Sequence, residues 1–203
     1  MKNFKNQKGF SLLELTIAMT ITLVVLGLTM SLFSGALGMR ARESRRADAL
    51  ASARAALNLI SREIANSGYG LSSNGIVLAD SNQKRIRVRA NLVNTDMSTN
   101  SPGEDVTYFF DAANQSIVRY DPNDSPQTSV VVNRISDVNF QYFNYTGSSS
   151  TPTSSSTPTK DTARVRISVM VRLEEVQGQP LDQTVEFVSD VTLRNAEYML
   201  NQY

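Results

Sequence analysis

Glu14 is the only ionisable side chain between Lys8 and Arg40. It closes the stretch Lys8-Gly9-Phe10-Ser11-Leu12-Leu13-Glu14, in which a basic leader stops at a glycine and an apolar run begins. From Leu15 to Met39 no side chain carries a charge. About 25 such residues cross a hydrocarbon core of roughly 30 Å as a helix. An acid just inside that segment is costly to bury and therefore reads as functional. Its chemistry is electrostatic. The 203-residue chain has no Cys and no His, which removes thiolate chemistry, His-based metal sites, Ser/His/Asp triads and disulfides. No phosphate loop, nucleophile–base pair or metal cluster is visible, so the sequence predicts neither an enzyme nor a cofactor.

The apolar run that positions Glu14 has three ordinary readings. A secretory signal peptide has an apolar core of about 7–15 residues before a small-x-small site. Ser34-Gly35-Ala36 imitates that site, but the run before it is too long and Glu14 interrupts it. A lipoprotein signal needs a Cys. A plain anchor needs neither the Gly-Phe junction nor the acid.

The residues Lys8 to Glu14 instead resemble the class III signal of type IV pilins and type II secretion pseudopilins. The resemblance implies that a membrane aspartic peptidase cuts between Gly9 and Phe10, where a small residue lets it reach the backbone. It implies that the same enzyme methylates the new amine of Phe10. It also implies that Glu14 pairs with the terminal amine of a neighbouring subunit, making it an assembly residue. A carboxylate and an ammonium in an apolar filament core are tolerable only as a pair.

Charge counting leaves topology open, since Lys2, Lys5 and Lys8 precede the segment while Arg40, Arg42, Arg45 and Arg46 follow it. The resemblance places the leader in the cytoplasm and the rest across the inner membrane, in the periplasm and then in a pilus. Many pilins carry a mid-helix proline. This chain has none, and Gly27, Gly35 and Gly38 are the points where a helix could weaken.

After Met39 the pattern turns amphipathic. Leu50, Ala53, Leu57, Ile60 and Ile64 mark one helical face. Ser67-Gly68 and Gly70 end it. A continuous helix from about Phe10 to Asn66 is predicted, roughly 85 Å long. The run Arg54–Tyr69, with Arg62-Glu63 and then Ser67-Gly68-Tyr69, resembles the helix end of PilW-type minor pilins and J-type minor pseudopilins.

The rest reads as strands: Lys84–Ala90, Val106–Phe110, Ser116–Tyr120, Val130–Val132, Val138–Phe143, Arg164–Leu173 and Thr184–Leu193. A hairpin is expected at Ala112-Ala113-Asn114 and a bulge at Val188-Ser189. The predicted fold class is α+β, type IV pilin-like, with a long N-terminal helix packed on an antiparallel β-sheet. Stretches around Val106–Phe110, Ile135–Phe140 and Val191–Asn195 also resemble the PilW-type and J-type proteins. The domain plan is a leader over 1–9, a membrane and filament-core helix over 10–39, an amphipathic helix half over 40–70 and a sheet domain over 71–203. Thr146–Thr159 is Ser/Thr/Pro-rich and reads as a mobile loop between two strands.

Two weaker signals remain. Asp121-Pro122-Asn123-Asp124-Ser125 gathers acids in a turn, but lacks EF-hand spacing and a terminal Glu, and reads as a Pro-containing turn. Arg85, Arg87 and Arg89 with Arg164, Arg166 and Arg172 would make a basic face for DNA or phosphate if they shared one surface. Alternating Arg on a solvent face is ordinary. Net charge is +1, and loss of the three leader lysines leaves 17 basic against 19 acidic residues, so the balance does not favour nucleic acid. The expected protein is a PilW-type minor pilin that primes or supports pilus assembly. Its partners are the prepilin peptidase/methyltransferase, the inner membrane, and other minor and major pilins met through the N-terminal helix. The alternatives are a J-type minor pseudopilin and, from another class, a filament-borne adhesin or DNA-binding module.

Overall fold

The computed structural model describes residues 10–93, 97–147, 150–173 and 182–202. The leader and Gly9 lie outside the described residues. The chain divides into two compact units, one ending at Arg45 and one beginning at Arg46. A single helix, α1 (Leu12–Ala65), contributes to both. It is not broken at Gly35–Gly38.

From Leu15 to Met39, in the first unit, the helix carries apolar side chains on every side. Each large apolar side chain from Phe10 to Met39 is at least 51% exposed. The hydroxyls of Thr16, Thr20, Thr22 and Thr29 donate to carbonyls of the preceding turn, at Leu13, Thr16, Ala18 and Val25. That satisfies these donors within the helix, so they can face hydrocarbon without an unpaired polar group. The segment is long and apolar enough to cross a membrane.

In the second unit the helix is one-sided. Ala53, Ala56, Leu57, Ile60 and Ile64 are buried, a spacing of three and four that faces the strands. Leu50, expected in this stripe, is only half-buried, while Ala56 joins it. Gly68 ends the helix run at φ 79°, and its N–H donates to the Arg89 carbonyl at 2.9 Å. A Cβ at Gly68 would lie 2.4 Å from the Ser73 carbonyl oxygen, so only glycine fits there.

Among the described residues eight strands follow: β1 (Arg85–Arg89), β2 (Asp105–Asp111), β3 (Ser116–Tyr120), β4 (Thr128–Asn133), β5 (Ile135–Asn144), β6 (Thr153–Ser155), β7 (Thr162–Arg172) and β8 (Thr184–Thr192). A short helix, α2 (Glu197–Leu200), comes last. The strands form two antiparallel sheets where one was expected, in the orders β1-β2-β3-β4 and β6-β5-β7-β8. The transfer happens at one residue. Arg134, at φ 62°, separates β4 from β5 and turns the chain out of the first sheet. Val132 and Ile135 are buried while Asn133 and Arg134 between them are exposed, so the alternation changes phase at the crossing.

Both sheets contribute to the core beneath α1. Val165, Ile167, Val169 and Val171 on β7 are 0–1% exposed, as are Ile86 on β1 and Tyr108 on β2. The bulge expected at Val188-Ser189 is absent: β7 and β8 pair without a register shift from Arg172↔Thr184 to Arg164↔Thr192. Ser189 sits in phase at an inward position, where its hydroxyl lies 3.0 Å from that of Ser61 on α1. The tract Thr146–Thr159 holds a further difference. Thr153–Ser155 form β6, paired with Tyr142–Asn144 at the end of β5. An edge strand can be polar on both faces, so no apolar alternation announces it.

Candidate functional site

Ser11 and Glu14 together build the start of α1. The Ser11 hydroxyl accepts the Leu13 N–H at 3.3 Å, and Glu14 Oε2 accepts the Ser11 N–H at 3.0 Å. This reciprocal pair is a capping box, spelled Ser-x-x-Glu. It satisfies two backbone donors that a helix start leaves open, and an acid there is favoured by the helix dipole. The box is legible at Ser11-Leu12-Leu13-Glu14, although Ser11 was not among the expected site residues. Its consequence is positional. Glu14 turns its carboxylate back toward the N–H of Ser11, the residue after Phe10. Phe10 is 91% exposed and precedes the helix.

A second polar assembly ties α1 to the first sheet. Tyr108 donates its hydroxyl to Glu63 Oε2 at 2.7 Å, and Arg119 Nε lies 3.3 Å from both Glu63 oxygens. Burial, with Glu63 beside it, raises the Tyr108 hydroxyl well above the ordinary phenol range. Arg119 also reaches Asp121 Oδ2 at 3.4 Å. The second sheet is met by Ser61, by Arg54 stacked over Phe187 at 5.3 Å, and by Arg46 donating to Gln183 at 2.7 Å. The sequence placed Arg62-Glu63 near the helix end but gave no sign of their partners.

The acidic turn does not present a free cation site. Asp121 is fully buried, with Oδ2 accepting the Gly103 N–H at 2.6 Å and Oδ1 accepting the Asn123 N–H at 3.0 Å. Among the described residues no group of three acids, histidines or cysteines is placed to hold a metal.

The arginines do not gather on one face either. Arg85, Arg87 and Arg89 stand on β1 of one sheet, whereas Arg164, Arg166 and Arg172 stand on β7 of the other. Most are already engaged. Arg87 grips Asp105 through two bonds of 2.7 and 2.8 Å and reaches Asp80; Arg89 joins Asp105 at 2.9 Å. Arg166 holds Asp190 with two bonds of 2.9 Å. Arg85 and Arg164 lie over Phe109 and Phe143. Burial opposes the charge on Asp105, but Arg87 and Arg89 outweigh it and hold the carboxyl below its usual range. Glu104 behaves alike for another reason: burial opposes its charge, and N–H groups of Ser101, Leu92 and Val93 more than offset that.

Fold and site thus define an α+β protein whose N-terminal helix begins with an all-apolar, exposed half opened by one acid. The prokaryotic N-terminal methylation motif matches residues 4–30 of this chain. With the long apolar helix, that match supports a type IV pilin-like protein, a prepilin-peptidase substrate of the pilin or pseudopilin kind. No curated protein and no solved structure matches it.

Proposed function

We propose that this chain is a structural minor pilin of PilW type. It waits in the inner membrane with its N-terminus in the cytoplasm and its sheet domain in the periplasm. Prepilin peptidase removes residues 1–9 and methylates Phe10. The processed helix then enters a type IV pilus among other minor and major pilins and helps prime assembly. The observation that carries this reading is the apolar surface from Leu15 to Met39, exposed on every side and headed by Glu14. Such a surface needs lipid or other helices of its own kind around it.

Within the filament Glu14 meets the methylated amine of a neighbour's Phe10. The capping box gives that carboxylate a local partner until the neighbour arrives. Deleting the gene in the native host tests the role. Loss of surface pili with normal protein secretion supports a minor pilin. Loss of secretion with intact pili assigns the chain to a pseudopilus instead.

A further inference from the structure

The outer edge of β8 stands apart from the other sheet edges. The β1 edge is closed by the chain before it: Arg89 N–H donates to Gly75 O, while the Val77 and Asn82 N–H groups donate to Arg87 O and Arg85 O. The β6 edge is three residues long, and the β4 edge belongs to a strand whose pairing shifts register beside Val118. By contrast β8 is nine residues long, in unbroken register with β7, and its sequence TVEFVSDVT holds no Pro and no Lys. Among the described residues no backbone group on its far side has a partner. Natural sheets usually protect an edge of this length, so an open one is a template for another strand.

The side chains say which strand. Thr184, Glu186, Val188, Asp190 and Thr192 face solvent. Val188 is 52% exposed and lies diagonal to Met170 on β7, itself 40% exposed. Asp190 is held by Arg166, whereas Glu186 has no ion-pair partner among the described residues. Paired along its full length, a second copy fits badly. Antiparallel pairing of β8 with itself, centred on Val188, sets Glu186 opposite Asp190 twice; parallel pairing in register sets each acid on its twin. Like charges directly opposite destabilise a ladder. A strand that matches carries Lys or Arg, an apolar residue, then Lys or Arg, at alternate positions.

We infer that the β8 edge docks an extended segment of a different polypeptide, with a basic–apolar–basic alternation that faces Asp190, Val188 and Glu186. The inference rests on the pilin reading only in naming another filament subunit as the natural source of that segment.

The test uses full-length protein in detergent micelles, a capped peptide of sequence TKTVTKT and its acidic twin TETVTET. Hydrogen exchange of the backbone amides in Thr184–Thr192 is followed by mass spectrometry. The basic peptide at millimolar concentration is expected to slow exchange there several-fold, and the acidic one to leave it unchanged. Glu186→Lys should weaken the protection given by the basic peptide. No slowing, or equal slowing by both peptides, overturns the proposal. Slowing that grows with protein concentration alone overturns it too, since a second copy would then be the occupant. No filament enters this assay, so its failure is separable from a failure of the pilin reading.

Discussion

At the level of single residues, Glu14 accepts the Ser11 N–H, and substitutions separate that cap from the proposed pairing with a neighbour's amine. Glu14→Val removes both the cap on Ser11 and the charge. Glu14→Gln keeps an acceptor for the Ser11 N–H and removes only the charge. Membrane levels of both variants should match the parent, since loss of a carboxylate eases insertion. Both should enter filaments poorly if charge pairing drives assembly, as read by immunoblot of sheared pili. Normal incorporation of Glu14→Gln would refute the pairing. Ser11→Ala should cost about 1 kcal/mol of local helix stability and leave incorporation near normal. Processing is checked by the intact mass of protein from the native host: the mature chain should begin at N-methylated Phe10, and a chain still carrying residues 1–9 would end that idea. Acid sensitivity is also decided by residues. The folded-state pKa values of Asp105, Glu104 and Asp190 lie below their unfolded ones. Their contribution is therefore complete above about pH 4–5 and is lost as pH falls through the depressed values. Asp105→Asn should lower stability by about 1–3 kcal/mol at neutral pH, because Arg87 and Arg89 lose a buried acceptor. It should also flatten the acid limb of a melting-temperature profile.

At the level of elements, the sequence revealed what periodicity can carry. Every strand with an apolar alternation was legible, as was the helix stripe from Ala53 to Ile64 and its stop at Gly68. What stayed hidden is set by single residues or by distant partners. Arg134 splits the strands into two sheets through one positive φ. Ser189 looked like an interruption of β8 and is instead an inward residue matched to Ser61. Glu63 finds Tyr108 and Arg119 far along the chain. The Ser/Thr tract has two ends of different worth. Asn74 Nδ2 lies within 3.0–3.2 Å of the carbonyls of Thr159, Lys160 and Thr162, and Thr162 donates to Asn144 at 2.6 Å. The described residues of the tract before Pro158 are mostly exposed. Replacing 147–157 by a tight Gly-containing turn should therefore change stability by less than about 1 kcal/mol, since β6 contributes only a short exposed edge and the shorter loop offsets it. Extending the cut through Thr159 should lower the melting temperature further, because the Asn74 amide loses part of its cradle. Equal melting temperatures for the two variants would show that this anchor adds nothing.

At the level of the whole molecule, the two units ask for different surroundings. Among the described residues the large apolar side chains before Met39 are exposed, whereas the unit from Arg46 onward buries a core of its own. A chain that starts near Arg42 keeps Ala53, Ala56, Leu57, Ile60 and Ile64 over the sheets. It should be soluble, monomeric and cooperatively folded. A chain that starts at Ser72 loses all five, and also Glu63, the partner of Tyr108 and Arg119. The inner faces carrying Ile86, Val165, Ile167 and Val169 would then form an exposed apolar patch, which drives aggregation. Ile60→Ala in the longer chain supplies the graded version: Ile60 is 0% exposed, and its truncation should cost about 2–5 kcal/mol without changing the fold. Size exclusion and thermal melting compare the three. If the chain from Ser72 is as stable and monomeric as the one from Arg42, the amphipathic half of α1 does not close the core, and its packing over the two sheets is wrong.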